Sequence, residues 1–162
     1  MKDPKVIIVM GSDSDWPIVS ETAKIFKEFK IPFEAKVLSA HRTPGETAKY
    51  ARQLEARGVK VAIAAAGGAA ALAGVVAGHT SIPVIGIPMP TADLNGMDSL
   101  LSTVQMPPGV PVATVGIGKA GAKNAAYLAM KILALSDKRV RHQLAGHKKN
   151  QAKKIKSIKL SL

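Results

Sequence analysis

The sequence predicts a three-layer α/β fold, a parallel sheet of five strands with helices on both faces. Three observations lead there. Five short apolar runs rich in β-branched residues alternate with helical patterns along the 162 residues. The segments that follow these runs are rich in glycine, serine or proline. Ala, Gly, Val and Ile dominate, with three Phe, two Tyr and one Trp, which suits closely packed parallel strands and helices.

Each element has its own signal. Lys5–Met10 is the first strand. Trp16–Phe29 is a helix that places Ile18, Thr22, Ile25 and Phe29 on roughly one face, with Val19 and Phe26 beside them. Phe33–Leu38 is the second strand. Pro44–Arg57 starts with a proline, which suits a first helical turn, and Gly58 supplies a stop. Val59–Ala65 is the third strand, followed by a small-residue helix at Ala69–Ala77. Val84–Ile87 is the fourth strand, and Asp98–Val104 a short helix. Val112–Ile117 is the fifth strand. Ala120–Leu135 is long and Ala-rich, and Lys138–Lys149 is a polar helix. Strand alternating with helix, joined by right-handed crossovers, leaves few topologies. Five strands at this length suggest the flavodoxin-like order 2-1-3-4-5. There is no internal repeat. The expected organisation is one domain over residues 1–146 and a basic tail over 147–162.

The net charge of +12 resembles a nucleic-acid signature until it is located. Residues 138–162 hold nine Lys/Arg and no Asp/Glu, so residues 1–137 carry 14 basic against 11 acidic side chains, only +3. The charge belongs to the C-terminal segment. A solvated extension is one reading and a phosphate-rich partner the other. No aromatic interleaves these lysines, so a base-stacking platform is not expected, and neither is a nucleic-acid partner. With no cysteine there is no disulfide, thiolate chemistry or Cys-based metal site. Residues 5–10 are too short for a signal core, and the apolar stretch 61–78 is broken by Gly67, Gly68, Gly74 and Gly78. No membrane segment is expected, and a cytoplasmic location is.

In this fold, ligands gather outside the carboxyl ends of the strands. After the first strand comes "GSDSDW", residues 11–16. Gly11 allows a tight turn. Ser12 and Ser14 offer hydroxyls near the free amides of a helix start, a small anion cradle. Asp13 and Asp15 would repel a phosphate, but an Asp here could accept from sugar hydroxyls. Alternatively, Ser14 or Asp15 merely caps the helix. After the second strand comes "SAHRTP". Arg42 can hold a phosphate or carboxylate with two parallel bonds. His41 has a side chain that exchanges a proton near neutral pH. Lone histidines are often structural, but Ser39, His41 and Arg42 share the sheet edge with "GSDSDW", and strands one and two are adjacent in this order. After the third strand comes "AAAGGAAALAG", residues 64–74. Two glycines admit close backbone approach, and the Ala/Gly wall suits a flat ring or a small apolar molecule; close helix packing explains it as well. The long segment 88–112 has two proline-rich pieces, a rigid connection of the kind that carries function. "GIGKAG" lacks the spacing of a phosphate loop and reads as a helix start, with Lys119 only a distant candidate.

Three rivals fall away. A receiver domain needs an Asp after the third strand, where this chain has Ala and Gly. A flavin site wants sandwiching aromatics, and Trp16 stands alone. His41, His79, His142 and His147 lack metal-ligand spacing.

Together "GSDSDW", "SAHRTP", "AGGAAALAG", "GMDSLLSTVQMPPGVPVATVGIG" and "AKNAAYLAMKIL" closely resemble the PurE family of purine biosynthesis, in register from about Lys5 to Leu144. The basic segment beyond His147 lies outside the resemblance. It implies a flavodoxin-like subunit of a homo-octamer with sites shared between subunits, and neither metal nor organic cofactor. It implies a small ribonucleotide substrate held by Ser12, Asp15, Ser39 and Arg42, with His41 as general acid/base. It implies that Gly67, Gly68 and Ala69 close on the imidazole and carboxylate, and that the stretch from Gln105 covers the site. The reaction implied is a mutase step, in which 5-(carboxyamino)imidazole ribonucleotide becomes 4-carboxy-5-aminoimidazole ribonucleotide by carbon dioxide transfer.

One departure stands out. Mutases of this family typically read "GGAAHLPG" where this chain reads "GGAAALAG". Ala71 replaces a second histidine, and Ala73 a proline. His79 lies eight residues on, about 12 Å along an ideal helix, and is no obvious substitute. The sister carboxylases, which use carbon dioxide directly, also lack that histidine, but they resemble "GRSN" there and often "SAHK". Arg42-Thr43 and Gly67-Gly68 look like the mutase class. Direct carboxylation of aminoimidazole ribonucleotide, and a nucleotide-binding homologue with weak catalysis, are the alternatives.

Overall fold

The computed structural model describes residues 3–160. Five parallel strands form one sheet in the order β2-β1-β3-β4-β5: β1 (Val6–Met10), β2 (Phe33–Val37), β3 (Val61–Ala66), β4 (Val84–Pro88) and β5 (Ala113–Thr114). The expected α/β flavodoxin-like order is the one observed. Val6 registers with both Phe33 and Val61, so β1 sits between β2 and β3 with every residue buried.

Side chains alternate across the sheet, and that alternation divides the core. Val6, Ile8 and Met10 point with Ile63, Ile85 and Ile87 toward α1 (Trp16–Glu28), α5 (Gly118–Leu133) and α6 (Lys138–Lys156). Ile7 and Val9 point with Ala62, Ala64 and Val84 toward α2 (Pro44–Arg52) and α3 (Leu72–Ala77). The remaining helix, α4 (Met97–Val104), packs against β4. Phe26, fully buried, is among the largest core side chains; burying one stabilises by roughly 1.5–3 kcal/mol. On α1 the apolar face centres on Val19, Ala23 and Phe26 rather than on Ile18, which is only half-buried.

The elements depart from their sequence expectations where tertiary contacts take over. α2 ends at Arg52 instead of Arg57, because the chain tightens: Gln53 and Leu54 donate to carbonyls three residues back, at 3.1 and 3.2 Å. Gly58, at φ 73°, then turns the chain, and Val59 donates to Leu54 rather than joining β3. β5 is two residues long, not six: only Ala113 and Thr114 register with β4, opposite Ile85 and Gly86. Gly118, at φ 71°, then swings the chain into α5. α6 is capped by Asp137, whose Oδ1 accepts from the N–H groups of Arg139 and Val140 at 2.9 and 3.2 Å.

α6 runs past the expected Lys149 to Lys156. Val140 is buried, and His147 stacks on Tyr127 with ring centroids 4.8 Å apart. From Lys148 on, every described residue is exposed. Among the described residues no helix is long and apolar enough to cross a membrane.

Candidate active site

The carboxyl ends of β1, β2 and β3 open into a cleft of about 390 Å³. The first wall is the turn after β1. Ser12 ends the extended chain and caps a single 3-10 turn, Asp13–Asp15. Its Oγ accepts from the Ser14 N–H at 3.3 Å, while Asp15 Oδ2 accepts from the Ser12 N–H at 3.3 Å, a reciprocal capping box. Capping is therefore done by Ser12 and Asp15 together, not by Ser14. Asp13 does not line this cleft, and it accepts from Ser12 Oγ and the Ser14 N–H. Burial pushes the Asp15 carboxyl up. The Ser12 N–H and the nearby Arg42 charge pull it back only in part, and Asp13 adds to the rise.

The second wall is the turn after β2. Thr43 closes it: its Oγ1 accepts from the Ser39 N–H at 3.1 Å and donates to the Ser39 carbonyl at 3.0 Å. Pro44 then starts α2. Arg42 bridges to the first wall, with Nη2 donating to the Gly11 carbonyl at 2.6 Å and Nε to Ser39 Oγ at 3.4 Å. A guanidinium has five N–H donors, so donors remain for a ligand. His41 is exposed beside it on the cleft wall. Among the described residues, no side chain is hydrogen-bonded to its ring.

The third wall is the turn after β3. Ala66, Gly67, Ala70 and Ala71 line it, with Leu72 beneath. Of the residues expected at the site, the fold brings Ser12, Asp15, Ser39, His41, Arg42 and Gly67 to one cleft. It does not bring Gly68 and Ala69 to the wall. Gly68 turns back toward α4, where its N–H donates to Ser99 Oγ at 3.0 Å, and Ala69 is exposed. Ala70 and Ala71 belong to the Ala/Gly wall expected over residues 64–74, and Leu72 joins them in the lining.

Other candidates lie elsewhere. His79 is tied to its own helix, with Nδ1 2.8 Å from the Val75 carbonyl. Lys119 is exposed at the start of α5, and Trp16 beside Val37 lines a separate shallow pocket. Gln105 is exposed at the end of α4, and Met106 packs over Gly74 of α3, outside the cleft lining of this chain.

The cleft thus gathers a cation, serine hydroxyls, an imidazole and an apolar wall of small residues. Such a site suits an anionic, ring-bearing small molecule. A family model described as AIR carboxylase matches residues 5–154. The chain is 55% identical over 147 residues to the N5-carboxyaminoimidazole ribonucleotide mutase of Pyrococcus abyssi, covering 91% of this chain and 83% of that protein. It is 52% identical to the protein of the same name from Saccharolobus solfataricus, covering 97% and 98%. Among solved structures, Treponema denticola PurE superposes with a TM-score of 0.85 at 34% identity, covering 94% of each chain.

Proposed function

The chain belongs to the AIR carboxylase family, and we infer from that premise that it acts as an N5-carboxyaminoimidazole ribonucleotide mutase, an isomerase of purine biosynthesis. The observation that carries the residue assignments is the meeting of three loops in one cleft, lined by Ser12, Asp15, Ser39, His41 and Arg42 together with the small residues that follow β3. Ser12, Ser39 and Arg42 hold the phosphate and ribose, and Asp15 accepts from a sugar hydroxyl. Gly67, on the turn that also contains Gly68 and Ala69, faces the imidazole and its carboxylate.

The reaction then needs only proton transfer and confinement. His41 as imidazolium gives a proton to the exocyclic nitrogen of the carbamate. The carbon–nitrogen bond breaks, its electron pair stays on nitrogen, and carbon dioxide is released in place. The electron-rich C4 of the ring attacks that carbon dioxide, and neutral His41 removes the C4 proton, restoring the starting imidazolium. One imidazole serves both steps, first as acid and then as base. The small wall of Gly67, Ala70 and Ala71 keeps carbon dioxide beside the ring, which substitutes proximity for capture from solvent.

The location in the cytoplasm and the homo-octamer belong to the same proposal. Met97, Leu101 and Val104 expose an apolar stripe on α4, which supports burial of that face between subunits.

The test supplies purified protein with two substrates in parallel, 5-(carboxyamino)imidazole ribonucleotide and aminoimidazole ribonucleotide with bicarbonate. Formation of the C4-carboxylated product from the first alone supports the mutase. Efficient turnover of the second alone replaces it with direct carboxylation. Binding without turnover of either replaces it with a nucleotide-binding protein.

A further inference from the structure

We propose that Ser99 is a positioning residue for this reaction: from α4 it holds the Gly67–Ala71 turn in the strained shape that forms the third wall of the cleft. The proposal rests on the mutase reading above.

The strain is local. Gly68 lies at φ 64°, and Ala70, almost fully buried, lies at φ 31°. A residue with a Cβ is disfavoured in the left-handed region, and such a conformation persists only where its surroundings over-determine it. Within the turn, the Ala70 N–H donates to the Gly67 carbonyl at 3.2 Å. That bond closes the turn but does not anchor it to the rest of the protein.

α4 supplies the anchor. Ser99 Oγ accepts from the Gly68 N–H at 3.0 Å, and Ser102 Oγ donates to the Gly68 carbonyl at 3.4 Å. Residues three apart share a helix face, so one helix grips both polar groups of one glycine. The helix is itself well held. Thr103 Oγ1 donates to the Ser99 carbonyl at 2.7 Å, and its methyl fills the space above Gly86 of β4. Behind Gly67 stand Met89 and Thr91, and Thr91 Oγ1 donates to Asp98 Oδ1 at 2.8 Å. Ser99 is fully buried, where alanine would pack as well; what the hydroxyl adds is an acceptor for Gly68.

The anchored turn meets the reacting end of the substrate, whereas the phosphate and ribose are held by the other two walls. Loss of the Ser99 hydroxyl is therefore expected in kcat and not in KM. For Ser99→Ala we expect kcat to fall by ~10–100-fold with KM within ~3-fold of wild type, the size of effect that sub-ångström misplacement produces. Amide exchange of Gly68 should accelerate by ~10-fold or more while the β3 amides keep their protection. Ser102→Ala, at an exposed position, should lower kcat less, by ~2–5-fold, in line with its longer bond.

An unchanged kcat in folded Ser99→Ala, or a rise in KM that accounts for the whole loss, overturns the proposal. If Ser99→Ala does not fold, Ser102→Ala decides: kcat and Gly68 exchange both equal to wild type overturn it. If wild-type protein turns over no carbamate substrate, the mutase reading fails, and the positioning role for this reaction is overturned with it. Accelerated Gly68 exchange in Ser99→Ala would then leave a structural anchor standing alone, so the two failures are distinguishable.

Discussion

Arg42 Nη2 donates to the Gly11 carbonyl oxygen at 2.6 Å, and so the turn after β2 is tied to the turn after β1 across the candidate cleft. The same side chain lowers, by its charge, part of the rise that burial imposes on Asp15. In the proposed site, anchoring of one loop by the other and binding of the substrate's anion would thus draw on one guanidinium.

Arg42→Lys should for that reason behave as a severe change. A lysine cannot bond Gly11 and a phosphate in a planar fork. KM for the carbamate substrate should rise by ~10–100-fold, the loss of one or two charge-assisted bonds, with a smaller change in kcat. Steady-state kinetics check this; a KM equal to wild type would remove Arg42 from the binding site.

His41→Asn keeps a polar side chain of similar reach but cannot take up and release a proton near neutral pH. Nucleotide affinity should stay within ~3-fold, while turnover falls by ~10²–10⁴-fold. Calorimetric binding beside a turnover assay separates the two. Unchanged turnover would end the proton-transfer role.

A pH dependence of stability should arise away from the cleft, at Glu34, Tyr50 and Arg57. The Tyr50 hydroxyl donates to Glu34 Oε1 at 2.7 Å, and Arg57 pairs with Glu34 Oε2. Burial and the Glu34 carboxylate push Tyr50 up to about 12. A raised tyrosine favours the folded state below its unfolded value near 10, and that contribution is lost as pH climbs from 10 toward 12. Burial also pushes Glu34 up, but the Tyr50 and Arg57 bonds outweigh it and hold the carboxyl below its ordinary range. A lowered carboxyl contributes stability above its unfolded value, lost as pH falls through the folded one. Urea midpoints measured across pH should drop at both ends. Tyr50→Phe should flatten the alkaline limb and Glu34→Gln the acid limb; parallel curves for variants and wild type would contradict this.

Two glycines should respond oppositely to alanine. A Cβ on Gly121 would stand 1.5 Å from the Gly116 carbonyl oxygen, a backbone atom that cannot step aside alone. Gly121→Ala should destabilise by ~2–3 kcal/mol or prevent folding. Gly146 lies inside α6 with open space around it and no left-handed φ. Gly146→Ala should stabilise by ~0.5–1 kcal/mol. Thermal or urea unfolding of the pair measures both signs.

Local pattern carried much of this molecule. The apolar runs at 6–10 and 61–66, their flanking glycines and the intervening apolar helices suffice for an α/β sheet, because period and turn chemistry are properties of neighbouring residues. The grouping of Ser39, His41 and Arg42 in "SAHRTP" was legible for the same reason: a strand end brings them within four residues, and they line one cleft. What the sequence could not determine depends on partners far along the chain. β5 shrinks to Ala113–Thr114, the two residues that register with β4, and α2 stops at Arg52 where the chain tightens toward buried Leu54. The turn after β3 shows the limit most clearly. Gly67-Gly68 marked a close backbone approach, yet whether Gly68 meets substrate or Ser99, 31 residues away, is decided by where α4 lies over β4. A serine in a helix looks the same in sequence whether its hydroxyl meets water or a glycine amide, and only the crossing of two distant elements selects between them.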